Sequence, residues 1–140
     1  MIKRIYNGET ILVAEDDEYS FEYIRRVLRD SGLTILKAVN GEEAVSRCKM
    51  HPEIRMILMD GMMPVMTGYQ AATIIHGFRP DLPVVILTAF VSTESIRDAV
   101  ISGCNDYLAK PVGTEELCSI VKKWLITALP HNEKAHSDIL

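Results

Sequence analysis

The sequence predicts a doubly wound α/β domain, a five-stranded parallel sheet with helices on both faces. Short apolar runs alternate five times with segments of helical periodicity, the pattern of strands joined by right-handed helical crossovers. The runs "ILVA", "MILM" and "VVIL" lack polar alternation, as expected of strands covered on both sides. The chain has 140 residues, 48% hydrophobic and 24% charged, which suits one globular domain with a real core.

Each element follows from local chemistry. Ile11–Ala14 is a short apolar run closed by acids. Phe21, Ile24, Val27 and Leu28 then recur at helical spacing, and Ser31-Gly32 marks the stop. Thr34–Val39 reads as a second strand with a mixed face, and Glu42–Cys48 as a helix with Ala44, Val45 and Cys48 on one side. Met56–Met59 is a third strand ending at Asp60. Ala71, Ala72, Ile75 and Phe78 mark a third helix, which Gly77 and Pro80 are expected to help end. Pro83–Leu87 is rich in β-branched residues and reads as a strand. Ser92 or Thr93 caps a fourth helix carrying Ile96, Ala99 and Val100, which stops at Gly103. Asp106–Ala109 is a fifth strand, and a last helix starts near Gly113 or Thr114 and runs through Leu117, Val121, Trp124 and Leu125. The expected architecture is flavodoxin-like, with strand order 2-1-3-4-5. Residues 1–9 form a lead-in, 10–129 the domain, and 130–140 a polar tail with two histidines that is expected to be mobile.

Composition narrows the function. A formal net charge of −4 gives no reason to expect direct nucleic-acid binding or attraction to an anionic membrane. The cysteines, Cys48, Cys104 and Cys118, are odd in number and lack CxxC spacing, which argues against a disulfide framework or a zinc site. No apolar run approaches the roughly 20 residues of a membrane span, and no signal-peptide pattern opens the chain. The expected location is cytoplasmic, which includes the cytoplasmic part of a membrane-bound sensor.

In open α/β sheets the site lies beyond the carboxyl ends of the strands. Those ends carry Glu15-Asp16-Asp17, Asp60, Thr88-Ala89 and Lys110-Pro111. Three or four carboxylates, one hydroxyl and one ammonium are therefore expected to converge. Clustered carboxylates resist ionising together, and a hard divalent ion with oxygen ligands resolves the conflict. Mg²⁺ fits, because it takes one or two carboxylates, keeps waters and shares phosphate oxygens. Lys110 can pair with Asp60 or a phosphoryl oxygen, and Thr88 can donate to that oxygen. Asp60 then becomes a nucleophile towards phosphorus. Taken singly, each residue has a plainer role: Asp and Thr after a strand usually serve turns and caps. Their joint placement on four strand ends carries the argument.

With "ILVAEDD", "MILMDGMMPVMTG", "VVILTA" and "CNDYLAKP" in place, the sequence resembles a response-regulator receiver domain of two-component signalling from about Thr10 to Ala128. The resemblance implies that Asp60 is the phosphoacceptor and that Glu15 and Asp16 hold Mg²⁺, Asp16 more directly. The backbone carbonyl of Met62 would complete the protein ligands. It implies that Thr88 and Tyr107 are switch residues, that Lys110 contacts the phosphoryl group, and that the bond before Pro111 is cis. Met62 and Phe90 would flank the path of an attacking water, and since neither can orient it, slow self-dephosphorylation is expected. Three positions depart from the commonest pattern. Glu15 replaces an Asp, which favours a water-mediated metal contact. Gly61 replaces a larger apolar residue, so a looser loop is expected. Thr67 fills a slot often held by an acid or Asn.

The implied partners are a histidine kinase or a phosphotransfer domain, with kinase choice set by the first helix, Ser20 to Arg29. The surface of the fourth helix, fifth strand and fifth helix would change shape on phosphorylation and could form a homodimer. "ILVAEDDE" and "GCNDYLAKP" look most like receivers attached to hybrid histidine kinases, although a stand-alone regulator is the alternative. None of His51, His76, His131 and His136 sits at a predicted strand end, which argues against an internal phosphohistidine. Rival readings fit less well. A haloacid-dehalogenase-type phosphohydrolase needs a second acid two residues after the nucleophile, and Met62 stands there. An unphosphorylated pseudo-receiver has no need of the Asp, acidic pair and lysine that are present. A flavin site conflicts with the acidic loop "EDDEYS".

Overall fold

The structure, a computed structural model, describes residues 5–89 and 91–127. Strands and helices alternate: β1 (Thr10–Ala14), α1 (Glu18–Leu28), β2 (Thr34–Ala38), α2 (Gly41–Met50), β3 (Ile54–Asp60), α3 (Gly68–Phe78), β4 (Val84–Thr88), α4 (Thr93–Ser102), β5 (Asp106–Ala109) and α5 (Thr114–Thr127). The sheet order is β2-β1-β3-β4-β5, and every pair is parallel. The predicted order 2-1-3-4-5 is the one observed.

Period-two alternation splits the strand residues between two cores. Ile11, Val13, Met56, Leu58, Val85 and Leu87 meet Phe21, Ile24 and Leu28 of α1 and Leu117, Val121 and Leu125 of α5. Leu12, Ile57, Met59, Val84 and Ile86 meet Ala44 and Cys48 of α2 and Ala71, Ala72 and Ile75 of α3. Fully burying one such side chain contributes about 1.5–3 kcal/mol, so these layers hold the sheet rigid behind the loops. Tyr6, from the lead-in, is buried in the first core, and the Ile5 and Tyr6 amides both donate to the Ser31 carbonyl at 3.0 Å.

The boundaries depart from the sequence reading where side chains reach across the fold. Helix α1 stops at Leu28, and the buried Ser31 hydroxyl donates back to the Leu28 carbonyl at 2.6 Å. Gly77 lies inside α3 rather than ending it. The cap is Arg79, whose amide donates to the Ile75 carbonyl at 2.7 Å and whose guanidinium donates to the carbonyls of Cys48, His51 and Pro52. Those contacts are invisible to a local turn rule. Ser92 caps α4.

Candidate functional site

Register brings the predicted residues to one edge. Ala14 pairs with Met59, so Glu15 follows on directly beside Asp60, and Asp60 pairs with Leu87. Thr88 pairs with Ala109, which places Lys110 one step beyond. Oxygens of Glu15, Asp16 and Asp60 lie within 4.8 Å of one another. The Lys110 ammonium donates to Glu15 Oε1 at 2.6 Å and stands 3.3 Å from Asp60 Oδ2. The Met62 amide donates to Asp60 Oδ1 at 3.1 Å. The Lys110–Pro111 bond is cis, as expected, and the Lys110 amide donates to the Thr88 carbonyl at 2.7 Å.

Close backbone approach at the mouth of β3 requires glycine. A Cβ on Gly68 would sit 2.1 Å from the Asp60 carbonyl oxygen, and the Gly68 amide donates to the Gly61 carbonyl at 2.9 Å. Gly61 is buried, and its amide donates to the Leu87 carbonyl at 2.9 Å. The looser loop expected from Gly61 is therefore not found, because the missing Cβ is filled by the ring of Tyr69. Thr67 caps α3 in a capping box with Gln70, each side chain bonding the other's amide.

Electrostatics follow from burial. Glu15 is fully buried, and burial pushes its carboxyl up to about 7, against the pull of the Lys110 hydrogen bond. The nearby Asp60 adds to the rise. Burial works to lower the Lys110 ammonium, but the bond to Glu15 and the charges of both acids outweigh it and hold it above its usual value. The ammonium thus pairs with two of the three clustered carboxylates, which leaves an excess of hard oxygen donors that suits Mg²⁺.

Not every predicted residue joins this cluster. Asp17 is diverted to cap α1, accepting from the Ser20 amide at 3.0 Å and hydroxyl at 2.8 Å, so three carboxylates gather rather than four. Tyr107, on β5, is 37% exposed. The Met62 side chain is largely exposed at the rim. Phe90 lies outside the described residues, as does the tail from 128 onward. All three cysteines are free thiols, Cys48 buried and the others half-buried.

Two site residues escaped the sequence reading. The Tyr23 hydroxyl donates to the Val112 carbonyl at 2.7 Å and lies 3.2 Å from Thr114 Oγ1, tying α1 to the segment after Pro111. Tyr69 lies over Gly61, with Thr88 as a hydrogen-bond partner of its phenol. The Gly-Tyr step "TGY" opening α3 was the only signal for the second, and its partner is set by packing.

Known proteins share this fold. The chain is 32% identical over 124 residues to the sensor histidine kinase GacS of Pseudomonas protegens, a match covering 85% of the chain. It spans 13% of that kinase's length and a minor part of several other curated relatives. Among solved structures, the receiver domain of a sensor histidine kinase from Pseudomonas aeruginosa, with magnesium coordinated in its active-site cleft, superposes with a TM-score of 0.79. That match has 32% identity and covers 84% of this chain and 98% of the other. The receiver domain of Ssk1, crystallised with the Saccharomyces cerevisiae phosphotransfer protein Ypd1, gives a TM-score of 0.81 at 31% identity, covering 91% of this chain and 96% of the other. The family model described as the response regulator receiver domain matches residues 11–122, and with the strand-end cluster of Asp60, Lys110 and the acidic pair it shows that this chain belongs to the response-regulator receiver family.

Proposed function

We propose that Asp60 accepts a phosphoryl group from a phosphohistidine on a histidine kinase or a phosphotransfer domain. The observation that carries this is the meeting of Asp60 with Lys110, Glu15 and Asp16 at the carboxyl edge of the sheet. An Asp60 oxygen attacks phosphorus, the P–N bond breaks, and the imidazole leaves with the electron pair. Lys110 offsets the charge gathering on the phosphoryl oxygens, and the Met62 amide holds Asp60 in place through Oδ1. Asp16, Asp60 and the Met62 carbonyl would hold Mg²⁺, with Glu15 acting through a water. When bound, the ion supplies further neutralisation of phosphoryl charge. Glu15 already accepts from Lys110 and from the Asp17 amide at 3.2 Å, which supports the indirect role.

Phosphorylation then draws Thr88 towards the new oxygens, and Tyr107 turns into the space it leaves. That changes the α4-β5-α5 face, which exposes Ile96, Val100 and Ile101 and is the surface proposed for a homodimer. Docking of the phosphodonor fits the open groove of about 520 Å³ beside Lys110, lined by Tyr19, Tyr23 and Pro111. Ypd1 is such a partner for the Ssk1 receiver domain. The reading is a phosphoacceptor module, not a turnover enzyme, with slow self-dephosphorylation past Met62 and Phe90. It works in the cytoplasm as the receiver part of a hybrid sensor kinase or as a stand-alone regulator. No helix among the described residues is long and apolar enough to cross a membrane.

The test is incubation with Mg²⁺ and acetyl phosphate followed by intact mass, beside Asp60→Asn. One phosphoryl adduct, lost in the variant and on chelating the metal, is the expected result. No adduct, where a competent receiver is labelled, overturns it in favour of an interaction module.

A further inference from the structure

Beside Asp60, the phenol of Tyr69 has a built seat. A Cβ on Gly61 would lie 2.8 Å from Tyr69 Cζ and from its hydroxyl oxygen, so the ring occupies the space that any other residue after Asp60 would fill. The seat is fixed from the other side too. Tyr69 follows Gly68, whose close approach to Asp60 leaves no room for a side chain, so the first turn of α3 starts hard against the end of β3 and brings the ring over Gly61. At the end of that reach the phenol meets the hydroxyl of the buried Thr88. Half-burial raises the phenol above its usual value, the Thr88 bond opposes the rise, and the charges of Asp98, Cys104 and Asp60 add to it. The group is a neutral hydroxyl that can both donate and accept. Its outer side opens to a groove between α3 and α4 of about 380 Å³, lined by Met62, Gln70, Asp98 and Ile101 among others, so the ring has somewhere to go.

We infer that Tyr69 is a positioning residue acting through Thr88: its phenol holds the Thr88 hydroxyl on the α3 side, and Thr88 must leave it to reach a phosphoryl group on Asp60. The inference rests on the phosphoacceptor reading of Asp60 and on Thr88 as the mobile hydroxyl. A hydroxyl engaged elsewhere is a competitor for the same donor and acceptor sites, so the Tyr69 bond favours the unphosphorylated arrangement. A ring that serves only to fill space over Gly61 would have no such effect, because its hydroxyl would be dispensable.

Tyr69→Phe keeps the ring and removes the hydroxyl. The experiment follows phosphorylation by acetyl phosphate and Mg²⁺ with intact mass, for wild type, Tyr69→Phe, Thr88→Ala and the double variant. Tyr69→Phe is expected to raise the initial rate or the steady-state phosphorylated fraction by about two- to tenfold, the equilibrium worth of one neutral hydrogen bond. The same substitution in the Thr88→Ala background is expected to change nothing, since the partner is already gone. Equal labelling of wild type and Tyr69→Phe overturns the inference, as does the same increase with Thr88 absent, which would mark an effect of packing. In both cases wild type is labelled and the phosphoacceptor reading stands. A wild type that takes no label overturns that reading, and this inference with it.

Discussion

The centre of the sheet and its α4–β5 flank are built to different standards. Every residue of β1 is buried, and so is all of β3 except the half-buried Arg55. On the flank, β5 alternates half-buried with exposed residues, and α4 buries only Ala99 and Ser102. Val100 and Ile101 of α4 are 72% and 73% exposed. The acids whose spacing the proposed chemistry depends on therefore stand at the ends of the fully packed strands. Two of the three elements in the surface proposed to change shape, α4 and β5, bury few side chains, as expected for elements at the low end of local stability. The proposed switch would thus leave Asp60 in place while changing what a partner meets.

The contrast can be broken most directly in the core. Leu58→Ala, beneath the site in β3, is expected to lower unfolding free energy by about 2–5 kcal/mol in urea titration. A loss below about 1 kcal/mol would mean that the centre is not the rigid half. Next in size is Tyr23→Phe, which removes the tie from α1 to the Val112 carbonyl. A loss of about 0.5–1.5 kcal/mol is expected, with slower phosphorylation as the Lys110-bearing segment loosens. Val100→Ser on α4 is expected to shift stability by no more than about 0.5 kcal/mol while weakening any phosphorylation-dependent dimer, read by sedentation-equilibrium mass. A core-sized loss there would erase the distinction between the two regions.

The smallest effect is a pH dependence on the flank. Burial alone would raise the Asp106 carboxyl, but the Trp124 indole at 3.0 Å, the Tyr107 amide and Lys123 hold it below its ordinary value of 3.8. A depressed folded value means that its contribution is complete above 3.8 and is lost as pH falls through that lower value. Trp124 is the chain's only tryptophan, so its emission is expected to shift in that acid window and to stay flat in Asp106→Asn. A shift near neutrality would point to a different group.

Much of this is legible in the sequence. The apolar runs and helical spacings locate the ten elements of the described residues, and the rule that open α/β sheets place their site beyond the carboxyl ends of the strands collects Glu15, Asp16, Asp60, Thr88 and Lys110 at one edge. Asp17 falls in with them by sequence, because a third acid after a strand looks the same whether it faces the site or caps a helix. Gly77 looks like a stop by sequence, because Arg79's grip on the carbonyls of Cys48, His51 and Pro52 leaves no local trace.

The alternation of strands and helices and the chemistry at each strand end are written along the chain, because side-chain periodicity and strand polarity are local properties. Pairing across the fold comes from packing instead. Lys110 sits closer to Glu15, 95 residues away, than to Asp60, and Tyr69 settles on Gly61 beside Thr88. Such choices depend on how helices seat on the sheet to within an ångström or so, and no spacing rule carries that information.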